Sequence, residues 1–114
     1  MAGKTPNAPR HLSPANRRVW REIVSDYGLA TEPHAMLVLT RTLEADDRCK
    51  QARDILNREG LTVIGAEGGV KTHPCVAVER DSRIAVLRGF RELSLDSQLE
   101  YVPRFPVSNG AVSR

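Results

Sequence analysis

Aromatic residues and long apolar runs are both scarce in this chain of 114 residues. Only 4% of the residues are aromatic, so a core has to be built from Leu, Val, Ile and Ala. No apolar run approaches the roughly 20 residues that span a bilayer, and the N-terminal sequence lacks the apolar stretch of a secretory signal peptide. With 40% hydrophobic and 27% charged residues, the composition predicts one soluble globular domain in the cytoplasm, without a membrane partner.

Residues that carry metal or nucleophile chemistry are also few. Cys49 and Cys75 form no CxxC pair, which favours free packing thiols. The three histidines are too far apart in sequence to resemble a zinc site. The carboxylates of Asp46 and Asp47, near Glu44, could in principle bind magnesium. Adjacent residues of a helix point about 100° apart, so these side chains would not converge on one ion, and we expect them to lie on a solvated helix face. We therefore expect a protein that is not an enzyme and needs no metal or cofactor, and we keep a small metal-dependent nuclease as a rival.

The positive charge is concentrated near the N-terminus. The whole chain carries a net charge of +3. Residues 1–30 hold five basic and two acidic residues, which leaves +3 there and none on the remainder. A positively charged N-terminal region on an otherwise neutral chain is typical of a domain that contacts phosphates with one edge. The alternative is a solvated, flexible N-terminal segment that contacts nothing. The five basic residues are Lys4, Arg10, Arg17, Arg18 and Arg21.

The first part of the chain predicts an arm followed by a helix. Residues 1–12 contain Gly, Pro and Asn with little apolar content, so we expect a flexible, extended arm. Ser13 followed by Pro14 is typical of a helix start. Trp20 lies in an apolar stripe with three- and four-residue spacing, which predicts a helix. The stripe ends near Gly28, which we expect to end the helix in a left-handed backbone conformation.

A long central helix should follow from Pro33 to Gly60, because no other Pro or Gly interrupts this stretch. Its apolar seam is dominated by small residues, which let a second helix approach closely. The seam could form the interior of a helical hairpin or a contact between subunits. It comprises Ala35, Val38, Thr42, Ala45, Cys49, Ala52 and Leu56.

The remaining sequence predicts a short β-hairpin or ordered loop and a third helix. Glycines punctuate the β-prone segment between Gly60 and Pro74. The helical pattern resumes at His73 and Pro74 and runs to Leu93, and Gly89 within it suggests a close helix crossing. The expected fold is mainly α, a hairpin core of three principal helices over residues 13–95 with a C-terminal tail over 96–114. Apolar positions of the third helix include Ala77, Ile84, Val86, Leu87 and Phe90, and its arginines are Arg80, Arg83, Arg88 and Arg91.

The order of these features resembles the small terminase subunits of tailed phages. The shared pattern is an N-terminal arm, an amphipathic helix ending at Tyr27 and Gly28, a long helix ending in RDILNREGL, a glycine-bearing loop and an HP step. The resemblance covers about residues 11–95. The family commonly continues with a Gly-Leu-Thr-Pro-like step, where this chain has LSLDSQLEYVPR. The residues that carry the resemblance are Leu12, Trp20, Gly28, Gly60, Leu61, His73, Pro74, Arg83, Leu87 and Leu93.

This resemblance implies a homo-oligomeric ring in the host cytoplasm that recognises double-stranded viral DNA at the packaging initiation site. The ring would deliver the DNA to the large terminase subunit, which holds the ATPase and nuclease, and an accessory phage endonuclease is a further candidate partner. A small helical DNA-binding regulator, or an adaptor without a packaging role, is the alternative.

Two basic surfaces are candidates for DNA contact. The first holds the N-terminal residues Lys4, Arg10, Arg17, Arg18 and Arg21. The second holds Arg80, Arg83 and Arg88, which in a ring could line the channel. We expect the core or the subunit contacts to be formed by Trp20, Val38, Ala45, Cys49, Ala52, Leu56, Leu87 and Phe90.

Overall fold

The computed structural model describes residues 6–94, which form three helices and one small antiparallel sheet. The helices are α1 (Pro14–Asp26), α2 (Pro33–Glu59) and α3 (Pro74–Glu92), and a short 3₁₀ turn (Leu29–Thr31) joins the first two. The strands β1 (Thr62–Ile64) and β2 (Val70–Thr72) lie between α2 and α3. This arrangement confirms the predicted mainly helical fold with three principal helices. Of the two alternatives between the second and third helices, a short β-hairpin or an ordered loop, the β-hairpin is observed.

Helix α1 begins and ends where its local sequence predicts. The Ser13 hydroxyl accepts a hydrogen bond from the backbone N–H of Asn16, and Pro14 occupies the first turn. Such a cap satisfies one of the N–H groups that a helix start leaves without an internal partner. Gly28 then adopts a left-handed conformation with φ of 65°, which only glycine adopts readily.

Helices α2 and α3 pack against each other as an antiparallel hairpin. On α2, the small residues Thr42, Cys49 and Ala52 are buried, and Ser82 is buried on the facing side of α3. Gly89 of α3 lies directly against the side chain of Thr42. The small-residue seam therefore forms the interior of a hairpin within one chain.

The β-hairpin continues the helical hairpin at the end where α2 meets α3. Ile64 pairs with Val70 and Thr62 with Thr72 in antiparallel register. The backbone N–H of His73 donates to the carbonyl of Leu61 at 2.8 Å, which closes the loop where α3 begins.

The core lies between α1 and the N-terminal half of α2. Its fully buried side chains include Leu12, Val24, Leu39 and Leu43, with Trp20 beside them. The predicted residues Cys49 and Ala52 are buried, and Phe90 packs against the core from α3. Others of the predicted set, Val38, Ala45 and Leu56, are half-buried.

Leu87 lies outside the core, so of its two predicted roles, in the core or in a subunit contact, only the subunit contact stays a prediction. It is 60% exposed and lies on the outer side of α3, away from α2. Helical spacing alone could not separate the two sides of α3, because Ile84 and Leu87 are apolar but lie on its solvent side.

The N-terminal segment packs against the helices from residue 6 to residue 12, where we expected an extended arm. Ala8 and Leu12 are buried in the core, and the His11 ring N–H donates to the Glu44 carboxylate at 2.7 Å. Two apolar residues, one of them an alanine, are too few to define an apolar stripe, so this packing could not be predicted from spacing. The predicted tail over residues 96–114 lies outside the described residues, as does Lys4.

Candidate nucleic-acid interface

The outer face of α1 presents arginines without acidic partners. Arg18 and Arg21 are exposed and lie three residues apart, so their side chains are neighbours on the helix surface. Within residues 6–94, neither forms an ion pair or a hydrogen bond. Their guanidinium groups are therefore available to phosphates.

Arg17 and Arg10 extend this surface towards the N-terminal segment. The Arg17 guanidinium donates to the carbonyl of Leu12 at 2.6 Å and to the carbonyl of Arg10 at 3.2 Å. These bonds fix the segment beside α1, and the exposed Arg10 forms no ion pair within the described part of the chain. Arg10 thus lies near the start of the helix that carries Arg18 and Arg21. We call Arg10, Arg17, Arg18 and Arg21 the α1 basic face.

A buried asparagine fixes α1 against α2. Asn16 is 2% exposed, and its side-chain amide donates to the carbonyl of Leu43 at 3.3 Å. The same NH₂ group also lies 3.0 Å from an oxygen of Asp46 and 2.8 Å from an oxygen of Asp47, so its two N–H groups are shared among three acceptors. Asp47 also accepts from the backbone N–H of Ser13 at 2.9 Å. Hydrogen bonds to charged groups are stronger than neutral ones, so this cluster holds the N-terminal end of α1 firmly in place.

The carboxylates of this part of α2 are structural groups, where we expected a solvated face. Burial raises the pKa of Asp47, but the hydrogen bonds from Ser13 and Asn16 outweigh burial, and the pKa lies below its ordinary value. Burial likewise opposes ionisation of Glu44, and bonds from His11 and Arg41 bring its pKa below the ordinary value. Both carboxylates therefore favour the charged form in the folded protein.

The second predicted basic surface, on α3, is largely neutralised by carboxylates. Arg83 contacts Glu79 at 3.4 Å, and Arg80 contacts Asp81 at 3.2 Å. Glu79 also pairs with Arg53 of α2 at 3.0 Å. Hydrogen bonds from Arg53 and Arg83 lower the pKa of Glu79 below its ordinary value.

Arg88 is the exception among the candidate arginines of α3. It forms no ion pair in the part of the chain that the structure describes, and it lines a groove between α2 and α3. Arg88 thus differs from Arg80 and Arg83, which each contact a carboxylate, although all three lie on α3.

The two cysteines are free, and Cys49 is buried. Its thiol lies 3.7 Å from the carbonyl oxygen of Glu79 and 3.6 Å from the Glu79 carboxylate. Burial is the main reason why the pKa of the Cys49 thiol lies above its ordinary value. The raised pKa disfavours the thiolate form that a nucleophile needs. Across residues 6–94, no three or more His, Cys, Asp or Glu side chains are placed to hold a metal ion.

The described helices are also too short or too polar to cross a membrane.

The anchoring role of Asn16 is not among the sequence-based predictions, although the apolar stripe of α1 carries a signal for it. Asn16 precedes Trp20 by four residues and Val24 by eight, so it continues the buried stripe of α1. A polar residue on an apolar stripe requires hydrogen-bond partners. Its partners lie on another helix, 27 to 31 residues away, so they could not be identified from local spacing.

Comparison with protein families, with curated proteins and with solved structures finds no match to this chain.

Proposed function

We propose that this chain binds double-stranded DNA through the α1 basic face and acts as the small subunit of a viral DNA-packaging terminase. In this role it assembles into a homo-oligomeric ring, engages DNA at the packaging initiation site and presents it to the large ATPase and nuclease subunit. It performs no catalysis itself.

The observation that carries the proposal is the unequal pairing of arginines on the two candidate surfaces. Arg18 and Arg21 have no acidic partner in residues 6–94, whereas Arg80 and Arg83 each contact a carboxylate. A nearby carboxylate reduces the local positive potential and competes with phosphate for the same guanidinium. Glu22 and Asp26 are also exposed on α1, but neither forms an ion pair with Arg18 or Arg21 in residues 6–94. The α1 basic face is therefore the better phosphate-binding surface.

The attachment of α1 to the core supports a binding role for this face. Asn16 fixes the N-terminal end of the helix, and the indole N–H of Trp20 donates to the Thr40 hydroxyl at 3.0 Å. Charged groups held on a rigid element lose less conformational freedom on binding than groups on a mobile loop. The backbone carrying Arg18 and Arg21 is thus fixed before DNA arrives.

A single copy offers only a few phosphate contacts, so useful affinity requires several copies. Contacts repeated around an assembly add through effective concentration, and each neutralised phosphate adds to the salt-dependent part of the affinity. A ring of weakly basic subunits is consistent with the net charge of +3.

The packaging role itself is supported by the resemblance in the order of features from Leu12 to Leu93. An adaptor that does not bind DNA is the competing function, and the exposed apolar residues Ile84 and Leu87 on α3 are compatible with either role.

The test is equilibrium binding of a fluorescein-labelled DNA duplex, followed by fluorescence anisotropy at fixed salt. We expect the double variant Arg18→Ala/Arg21→Ala to bind at least tenfold more weakly than the wild type. The matched control Arg80→Ala/Arg83→Ala removes the same charge from α3 and should bind within about threefold of the wild type. Equal weakening by both pairs would reject the α1 basic face as the binding surface, and no binding by the wild type would favour the adaptor.

A further inference from the structure

The β-hairpin carries an apolar face that no described residue covers. Ile64 and Val70 are directly opposite each other and are 75% and 74% exposed, the highest values among the exposed large hydrophobic residues of residues 6–94. Thr62 and Thr72 lie on the same face, so the face is uncharged. Because a two-stranded hairpin is only marginally stable alone, we expect such a face to be covered by a partner.

A groove of about 440 Å³ lies between α2 and α3 near the opposite end of the helical hairpin. Its lining is mostly apolar and includes Leu37, which is 52% exposed. Ala85 of α3 also lines the groove and contributes only a methyl group to it. Leu37 and Ala85 therefore offer an apolar surface to an inserted side chain.

The hairpin and the groove of one chain cannot meet. The groove lies beside residues 34–42, near the start of α2, and the β-hairpin follows its last residue, Glu59. At 1.5 Å per residue, the distance along the helix from Val38 to Glu59 is roughly 30 Å. A hairpin that fills this groove must therefore come from another molecule.

Each of the two surfaces carries a charged residue of opposite sign that forms no ion pair within the described part of the chain, Glu67 on the hairpin and Arg88 in the groove. Glu67 lies exposed in the turn between Ile64 and Val70 and has no ion pair within the described part of the chain. The groove is lined by Arg88, which is also unpaired there, and by Arg41, which contacts Glu44 at 3.1 Å. His34 also lines the groove, and Glu92 is its one acidic residue. Lys71 lies beside Glu67 on the hairpin, so the match is between the single residues Glu67 and Arg88 and not between the net charges of the two surfaces.

From these features we infer that the β-hairpin of one copy inserts into the α2–α3 groove of the next copy. Ile64 and Val70 contact Leu37 and Ala85, and Glu67 approaches Arg88. Such a contact is head-to-tail, because each copy uses a different surface on its two sides, and it closes into a ring or extends as a filament. This inference rests on the oligomeric assembly of the proposed function and names the contact that forms it.

A mixing experiment tests the head-to-tail contact. The hairpin variant Ile64→Thr/Val70→Thr keeps strand-forming side chains, and the groove variant Leu37→Glu changes an exposed position on a helix. Native mass spectrometry should show multimers for the wild type and monomers for each variant alone. A 1:1 mixture should form a heterodimer, because one intact hairpin and one intact groove remain in the pair.

Each outcome of the mixing experiment has a distinct meaning. Monomers in the mixture would overturn the inference, as would multimers formed by both variants alone, and the latter result would leave ring assembly itself standing. A monomeric wild type would overturn the inference together with the assembly part of the proposed function. The DNA affinity of the Arg18→Ala/Arg21→Ala variant is measured independently of all these outcomes. Circular dichroism of each variant checks that its helices are retained.

A charge reversal tests the proposed pairing of Glu67 with Arg88. Glu67→Arg and Arg88→Glu should each raise the dissociation constant of assembly at least fivefold. The double variant Glu67→Arg/Arg88→Glu should recover to within about twofold of the wild type, because the charges are exchanged between the same positions. Weakening in the double variant equal to or greater than that in either single variant would overturn the pairing.

Discussion

Gly89 of α3 packs directly against Thr42 of α2, and the contact leaves no space for a side chain at residue 89. A Cβ atom built on Gly89 would lie 2.8 Å from the Cβ of Thr42 and closer still to its hydroxyl oxygen. The Thr42 hydroxyl donates to the carbonyl of Val38 at 2.8 Å, which holds the side chain in place. This contact sets how closely the two long helices approach.

We predict that Gly89→Ala destabilises the protein by about 1–3 kcal/mol, as overpacking does in well-packed cores. The direction is informative because Ala favours a helix over Gly by about 1 kcal/mol when space is available. Urea denaturation measures the change in the free energy of unfolding. The control is Gly69→Ala, where a Cβ atom meets nothing within 4 Å, and its effect should stay within about 0.5 kcal/mol. An increase in stability for Gly89→Ala would contradict the close packing.

Asn16 should be among the least replaceable polar residues of the described core. Replacing it with Ala removes the donor to the Leu43 carbonyl and to the two carboxylates Asp46 and Asp47. We expect a loss of about 2–3 kcal/mol in the free energy of unfolding, because a buried acceptor and two charged groups lose a partner. Thermal denaturation at neutral pH measures it. A variant as stable as the wild type would show that the cluster does not anchor α1.

Asp47 should make the stability depend on pH in the acid range. Its folded-state pKa is lowered, whereas an unfolded aspartate titrates near a pKa of about 3.9. Above that value both states are ionised and the full stabilisation is present. As the pH falls, the unfolded state binds a proton first, so the stabilisation is lost progressively until the pH has passed through the folded-state pKa.

The corresponding test compares Asp47→Asn with the wild type by urea denaturation between pH 7 and pH 3. At pH 7 we expect the variant to be less stable by about 2 kcal/mol, the value of hydrogen bonds to a charged group. The difference should shrink as the pH falls. The control is Asp54→Asn, an exposed carboxylate without a described partner. A difference that stays constant over this range would exclude Asp47 as a source of the pH dependence.

His73 should stabilise the start of α3 through its ring. Its Nδ1 accepts a hydrogen bond from the backbone N–H of Cys75 at 3.0 Å, and its Nε2 lies 2.9 Å from Glu59. His73→Ala removes both contacts and should cost about 1–2 kcal/mol, in the range of a lost helix cap. His73→Asn should recover most of that loss, since Asn is a favoured cap residue. If Asn and Ala were equally destabilising in urea denaturation, the cap would not be the source of the stability.

The helix boundaries could be predicted because their causes are local. Ser13 with Pro14, Pro33 and His73 with Pro74 each begin a helix, since caps and prolines act within one turn of the chain. The end of α1 is also determined locally, because Gly28 adopts a left-handed backbone conformation there.

The anchoring cluster and the exposure of Leu87 could not be predicted because their causes lie far away in sequence. Asp47 contacts Ser13 across 34 residues, and no local pattern distinguishes it from a solvated carboxylate. Leu87 fits the helical period of α3, but α2 packs on another side of that helix. The positions of the candidate arginines can be read from the sequence. The ion pairs of Arg80 and Arg83 are seen only in the folded structure.

The salt dependence of DNA binding measures how many phosphates the α1 basic face contacts. Each phosphate contact contributes roughly 0.9 to the slope of log affinity against log salt concentration on duplex DNA. We predict that Arg18→Ala/Arg21→Ala reduces the magnitude of this slope by about 2 per bound chain, while Arg80→Ala/Arg83→Ala leaves it unchanged. An unchanged slope in the α1 variant would contradict the proposal that this chain holds DNA through the α1 basic face.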